Sequence, residues 1–121
     1  MHGPLDDNAV ILTAAKASVP GPRLLELIDL AQEYLESRDA EYDRQYECAY
    51  EDDAQAVFFV EEDHWADLGS SLDLSRREWS ALERVHREHL EKLGRDIGRH
   101  EEFLTALEVR ETVVIGAGES S

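Results

Sequence analysis

One cysteine in 121 residues excludes an internal disulfide and any paired-cysteine metal signature. Cys48 falls in a stretch of helical spacing, where a small buried thiol is the expected role. Apolar runs such as Ala9–Leu12 fall far short of the ~20 residues of a membrane span. The first residues carry Asp6 and Asp7 rather than a basic cluster. Ala9–Val19 is therefore a poor signal peptide and a better amphipathic helix, and the expected setting is the cytoplasm with no membrane contact. Seven glycines and three prolines are scattered, so there is no glycine-rich phosphate loop, and no nucleophile elbow is present. A serine triad, whose members meet only in the fold, stays open. There is no internal repeat and no low-complexity segment.

Lysine is the other scarcity. Only Lys16 and Lys92 accompany ten arginines, against 28 acidic residues, for a formal charge of −16. Such a charge on a 13.7 kDa body repels itself and destabilises the compact state. At ~1 M salt the screening length falls to ~3 Å and most of that repulsion disappears. The fold is thus expected to need concentrated salt; the competing reading is an acidic mimic of nucleic acid. Residues 1–72 carry four basic and seventeen acidic side chains and residues 73–121 carry eight and eleven, so only the second part is suited to face a polyanion.

Asp7 is a plausible N-cap for a helix to about Ser18, ended by Val19-Pro20-Gly21-Pro22. Pro22 then suits the first turn of a second helix. Leu24, Leu27, Ile28, Ala31, Tyr34 and Leu35 recur at helical spacing, and Tyr42, Tyr46 and Ala49 continue the face. The spacing predicts a long helix over 22–50, with a break to be considered at Ser37–Asp39. Ala56–Val60 (AVFFV) reads as a strand in preference to buried helix. Glu61–Leu68 reads as a short helix and Gly69-Ser70-Ser71 as a turn. Ser75-Arg76-Arg77-Glu78 is a capping box. Behind it Trp79, Leu82, Val85, Leu90, Leu93 and Ile97 share one face, in one long helix or in two hinged near Gly94–Gly98. Val113-Val114-Ile115 is a β-type run that pairs with 56–60 or docks as a tail. The fold expected is mainly α: a single domain over 1–116 of two long amphipathic helices packed with shorter ones, a minor two-stranded β element, and a flexible tail at 117–121.

Three constellations bear on chemistry. Leu68, Gly69, Leu72, Leu74, Trp79 and Leu82 fall in the order of a helix-turn-helix across 65–84, with Arg76 and Arg77 where a recognition helix begins. Asp73 stands where that motif usually has glycine, and Trp79 is large for the inner anchor. Arg76, Arg77, Arg84, Arg87, Lys92, Arg95 and Arg99 lie within about 160° of the helical wheel, a phosphate-tracking stripe or a solvated face laced with ion pairs. Glu83–Arg87, Glu88–Lys92 and Glu91–Arg95 have favourable i,i+4 order, which favours the solvated face. His86 and His89 lie on the apolar side, and Glu83-x-x-His86 has the spacing of di-metal bundles, which set that motif on two facing helices with two further glutamates, so that family is not assigned. A zinc site from His86, His89 and His100, with Glu83 beside them, needs a hinge, since 89 and 100 are ~16 Å apart along a straight helix. The plainer reading has these histidines at the core edge. His64 with Asp63 or Asp67 is a weaker acid–base pair.

Ser71–Arg95 and Ala106–Gly116 (ALEVRETVVIG) resemble small uncharacterised proteins of halophilic archaea over about half the chain. That resemblance implies a habitat and no activity. The functional expectation is a non-catalytic interaction or regulatory protein that uses its helices for self-association or for a protein partner, with no cofactor. The first alternative is a DNA-binding regulator acting through Arg76, Arg77, Arg84 and Arg87. The second is a metal-binding protein or enzyme centred on Glu83, His86, His89 and His100.

Overall fold

The computed structural model describes residues 4–116. The expected tail at 117–121 lies outside them. Along the chain run α1 (Asp7–Lys16), α2 (Gly21–Glu36), α3 (Asp39–Gln45), β1 (Glu47–Glu51), β2 (Gln55–Glu61), α4 (His64–Ser71), α5 (Arg76–Ile97), α6 (His100–Leu107) and β3 (Arg110–Gly116). The strands form one antiparallel sheet in the order β1-β2-β3. This corrects the mainly α expectation with its minor two-stranded element. β2 and β3 do pair, from Gln55↔Gly116 to Glu61↔Arg110, but β1 joins them and the sheet is central to the core. Val57–Val60 and Thr112–Ile115 are buried at every successive residue, so both faces of these two strands are covered. Phe58 packs on Tyr42 from α3, and on the alternate side Phe59 packs edge-on to Phe103 from α6.

The largest departure is at 46–51. The helix over 22–50 breaks at Ser37 and Arg38, within the stretch named for a break, but α3 then stops at Gln45 and the chain turns into β1. A bulge between Cys48 and Tyr50 breaks the period of two, so the strand's apolar spacing imitates a continuing helix. Cys48 is accordingly an exposed strand residue rather than a buried helical thiol. Asp52 closes the β1–β2 hairpin by accepting from the Ala54 and Gln55 amides at 2.8 and 3.0 Å.

Asp6, not Asp7, caps α1 through the Ala9 amide. Ser75 and Glu78 form the capping box of α5. That helix ends at Ile97, with Gly98 left-handed at φ 77°, and α6 folds back on it. Gly69-Ser70-Ser71 is the last turn of α4 rather than a loop. The glycine serves packing: a Cβ there would stand 2.5 Å from Trp79 Cδ1. Gly69→Ala is expected to cost about 1–3 kcal/mol by overpacking against the indole, as read by urea unfolding. The turn after α4 uses Asp73 at φ 60°, a conformation that Asp tolerates better than most residues.

α1 and α2 both pack on α5, and α5 packs on β3. β3 is an edge strand in pairing terms, yet its free side is not open. Four of its outward backbone groups meet side chains in place of another strand. Trp65 Nε1 donates to Thr112 O at 2.9 Å. Val114 N donates to His86 Nδ1 at 2.9 Å. Gln32 Nε2 donates to Val114 O at 2.7 Å, and Gln32 Oε1 accepts from Gly116 N at 3.0 Å. Helices α4, α5 and α2 thus seal the edge with polar atoms on otherwise apolar faces, each satisfying a group that would cost ~1–3 kcal/mol if left unpaired.

Candidate functional site

The two histidines of α5 were the residues with most chemical promise, and the fold uses both. His86 is fully buried, 4.6 Å from the Trp65 ring between centroids. Since Nδ1 accepts from Val114, the ring proton sits on Nε2. That Nε2 has no hydrogen-bond partner among the described residues. Burial pushes the imidazole down to about 3, with His89 adding a smaller push, so the ring is neutral at neutral pH. His89 Nδ1 accepts the Asp6 amide at 2.9 Å, and its Nε2 meets Gln55 Oε1 at 2.7 Å. It therefore joins α5 to the start of α1 and to the β1–β2 hairpin. Burial lowers its pKa as well, partly opposed by Asp6.

His100 lies elsewhere, at the start of α6 beside Arg95, with a 3.4 Å contact. Glu83 is half-buried, and its carboxyl is raised by desolvation and by the charge of Glu111. The fold therefore commits the Nδ1 atoms of His86 and His89 to backbone amides and does not bring His100 to them. Among the described residues no group of three or more His, Cys, Asp or Glu side chains is arranged to hold a metal ion.

The arginines named for a nucleic-acid surface remain outside. Arg76 and Arg77 are exposed at the start of α5, and Arg84 and Arg87 are exposed further along. The stripe is shorter than its spacing suggested. Arg99 leaves it because α5 has ended: it pairs with Glu102, donates to Ala49 O on β1 and lies 4.7 Å over the Phe103 ring. Lys92 is shared between Asp96 and Asp6, and Arg87 pairs with Glu91. Ion pairs do lace the face, but in the reverse order: among the described residues the base-first pairs Arg87–Glu91 and Lys92–Asp96 stand in place of the acid-first pairs Glu83–Arg87, Glu88–Lys92 and Glu91–Arg95.

One cluster was only half visible in the sequence. His64 faces neither Asp63 nor Asp67. Its Nε2 lies 2.6 Å from Tyr42 Oη and its Nδ1 3.3 Å from Glu61 Oε1. Tyr46 donates to the same carboxylate at 3.5 Å and stacks 5.1 Å from Tyr42. Glu61-x-x-His64 is legible as a spacing, whereas Tyr42, twenty-two residues before His64, is not. The order phenol–imidazole–carboxylate is that of a proton relay, but Tyr42 is buried and desolvation pushes its pKa upward, so it keeps its proton. An adjoining depression of about 610 Å³ is lined by Tyr46, Glu47, Phe59, Glu61, Val109 and Arg110, among others, and not by Tyr42 or His64. The cluster pins α3 to α4. Glu111 adds to the same junction, capping the start of α4 by accepting from the Asp63 and Trp65 amides at 3.0 and 2.9 Å.

The remaining feature is on α1. Ala9, Val10 and Thr13 face the core. On the other side Ile11 is 64% and Leu12 44% exposed, with Asn8 and Ala15 also exposed between them on the wheel. The helix is apolar on both sides, where a simple amphipathic helix was expected. No helix of the described residues is long and apolar enough to cross a membrane.

No curated protein and no solved structure matches the chain. Residues 3–117 match the family model described as Domain of unknown function (DUF8048), which covers all of the fold just described. The chain belongs to that family.

Proposed function

We propose that this is a non-catalytic interaction protein, adapted to concentrated salt, whose working surface is the outer face of α1. The observation that carries this reading is the pair Ile11 and Leu12, adjacent and solvent-facing on a helix whose opposite side is already buried. Single exposed apolar residues are ordinary, but two large ones in line with Ala15 form a stripe of the kind that marks contact sites. The titratable groups with most catalytic promise support it from the other side. His86 and His89 spend their Nδ1 atoms on backbone amides, and His64 is held between Tyr42 and Glu61.

Site-specific photocrosslinking in the cells that make the protein tests the reading. With p-benzoylphenylalanine replacing Leu12, discrete protein adducts are expected; with the same residue replacing Arg84 on the exposed side of α5, none above background. Adducts equal at the two positions, or absent from position 12, would contradict the assignment. Nucleic-acid adducts from position 84 would favour the DNA-binding alternative.

A further inference from the structure

His64, His86 and His89 differ in what a second ring proton would meet. His64 Nε2 faces the Tyr42 hydroxyl, which can turn and accept. The Nδ1 atoms of His86 and His89 face backbone amides, which only donate. His86 is fully buried between Trp65 and β3. His89 lies at the margin of the core, between the start of α1 and the β1–β2 hairpin. We infer that His89 is a pH-sensitive latch, holding α1 on α5 while its ring is neutral and releasing it when the ring is protonated. The latch does not depend on what the outer face of α1 contacts.

Asp6 caps α1, and among the described residues it carries both polar ties of that helix to the rest of the fold. Its amide donates to His89 Nδ1 at 2.9 Å, and its carboxylate lies 3.8 Å from Lys92 Nζ. The second tie is long and partly exposed, so it contributes little. An imidazolium would aim Nδ1–H at the Asp6 N–H, turning a hydrogen bond into two opposed donors around a poorly solvated charge. The Asp6 carboxylate can swing over to accept that proton only by leaving the Ala9 amide, which it caps at 3.1 Å. Either way the start of α1 loses a bond. The charged and titratable groups facing the ring are Asp6 from α1, Asp52 from the hairpin, and Lys92 and His86 from α5 itself, while neutral Gln55 accepts from Nε2 at 2.7 Å. Burial opposes protonation most, Lys92 adds to it, and Asp6 and Asp52 favour the charged ring, so the latch is closed at neutral pH. Freed from α1, the imidazole titrates at ~6.5. Below that pH the opened form binds a proton that the closed form refuses, and its population grows by up to about tenfold per pH unit. The seal on β3 draws on α2, α4 and α5 and not on α1, so the opening is local.

Amide hydrogen exchange of the full chain, followed by NMR in ~2 M KCl from pH 7 to 5 with intrinsic rates divided out, tests this. The α1 amides are expected to share one opening constant, larger than that of β2 and β3. That constant should rise at least about fivefold as the pH falls to 5. His89→Asn offers a side-chain oxygen near the place of Nδ1 that accepts from Asp6 and does not titrate. In this variant the α1 constant should stay level with pH, while β2 and β3 keep the slope set by His86. Wild type decides by itself if the variant does not fold. Exchange of α1 at the same constant as β2 and β3, or an α1 constant level from pH 7 to 5, would overturn the latch. A folded His89→Asn whose α1 constant still rises with acid would overturn it as well.

Discussion

Trp65→Ala is expected to remove about 4 kcal/mol of folding stability, a large fraction of the ~5–15 kcal/mol typical of a domain this size. Trp65 is fully buried. Its indole packs against the His86 ring and donates to Thr112 O on the outward side of β3. Truncation leaves a cavity and orphans a carbonyl in one step, and the second loss alone costs ~1–3 kcal/mol. Trp65→Phe separates the two by keeping most of the packing while removing the N–H, with an expected loss of ~1–3 kcal/mol. Urea unfolding at constant high salt measures both, as a shift in midpoint at unchanged slope. A loss below ~1 kcal/mol for Trp65→Ala would mean that the indole does not seal the edge of β3.

Acid is the second lever. His86 is held near 3 by burial, whereas an unfolded imidazole titrates at ~6.5. Between those values the unfolded chain binds a proton that the folded chain refuses. Unfolding free energy therefore rises with pH across this window, and stability that is full above ~6.5 drains away as pH falls. The slope from His86 is ~1.4 kcal/mol per pH unit, or roughly 2 kcal/mol between pH 6.5 and 5. His89, also lowered, adds to it. Glu83, raised by burial and by Glu111, opposes this slope, and the difference between wild type and His86→Gln isolates the histidine. Denaturant unfolding from pH 7 to 5 in constant 2 M KCl reads the slope. His86→Gln should be less stable at pH 7 and show a flatter profile. A wild-type profile level from 7 to 5 would contradict a buried neutral His86.

These two expectations share a cause that shows how much the sequence could say. The α5 face was legible from Trp79 to Leu93 because helical periodicity and the Ser75–Glu78 capping box agree. AVFFV and Val113–Ile115 were legible as β-type runs, and their pairing followed. β1 was hidden because the bulge at Cys48–Tyr50 removes the alternation that identifies a strand. Without β1 the sheet looked like a minor addition to a helical core. The seal on β3 was hidden for a different reason. Gln32, Trp65 and His86 are separated by 33 and 21 residues, and nothing local marks a side chain as a substitute for a neighbouring strand. The histidines were placed correctly on the apolar side of α5, but His86's partner is a backbone amide twenty-eight residues away. Likewise Ile11 and Leu12 read as half of an amphipathic helix, and only the packing of Ala9, Val10 and Thr13 shows that they face outward.

In the function proposed here, the α5 histidines serve the fold and the outer face of α1 is left for contact. Imidazole nitrogen NMR of the labelled protein in high salt tests this most directly, followed from pH 8 to 5 with and without zinc. His86 and His89 are expected as neutral rings with the proton on Nε2, no titration of His86 in that range, and no zinc-dependent shift of either. Titration of His86 near 6.5, or a zinc-induced shift at its ring nitrogens, would contradict it.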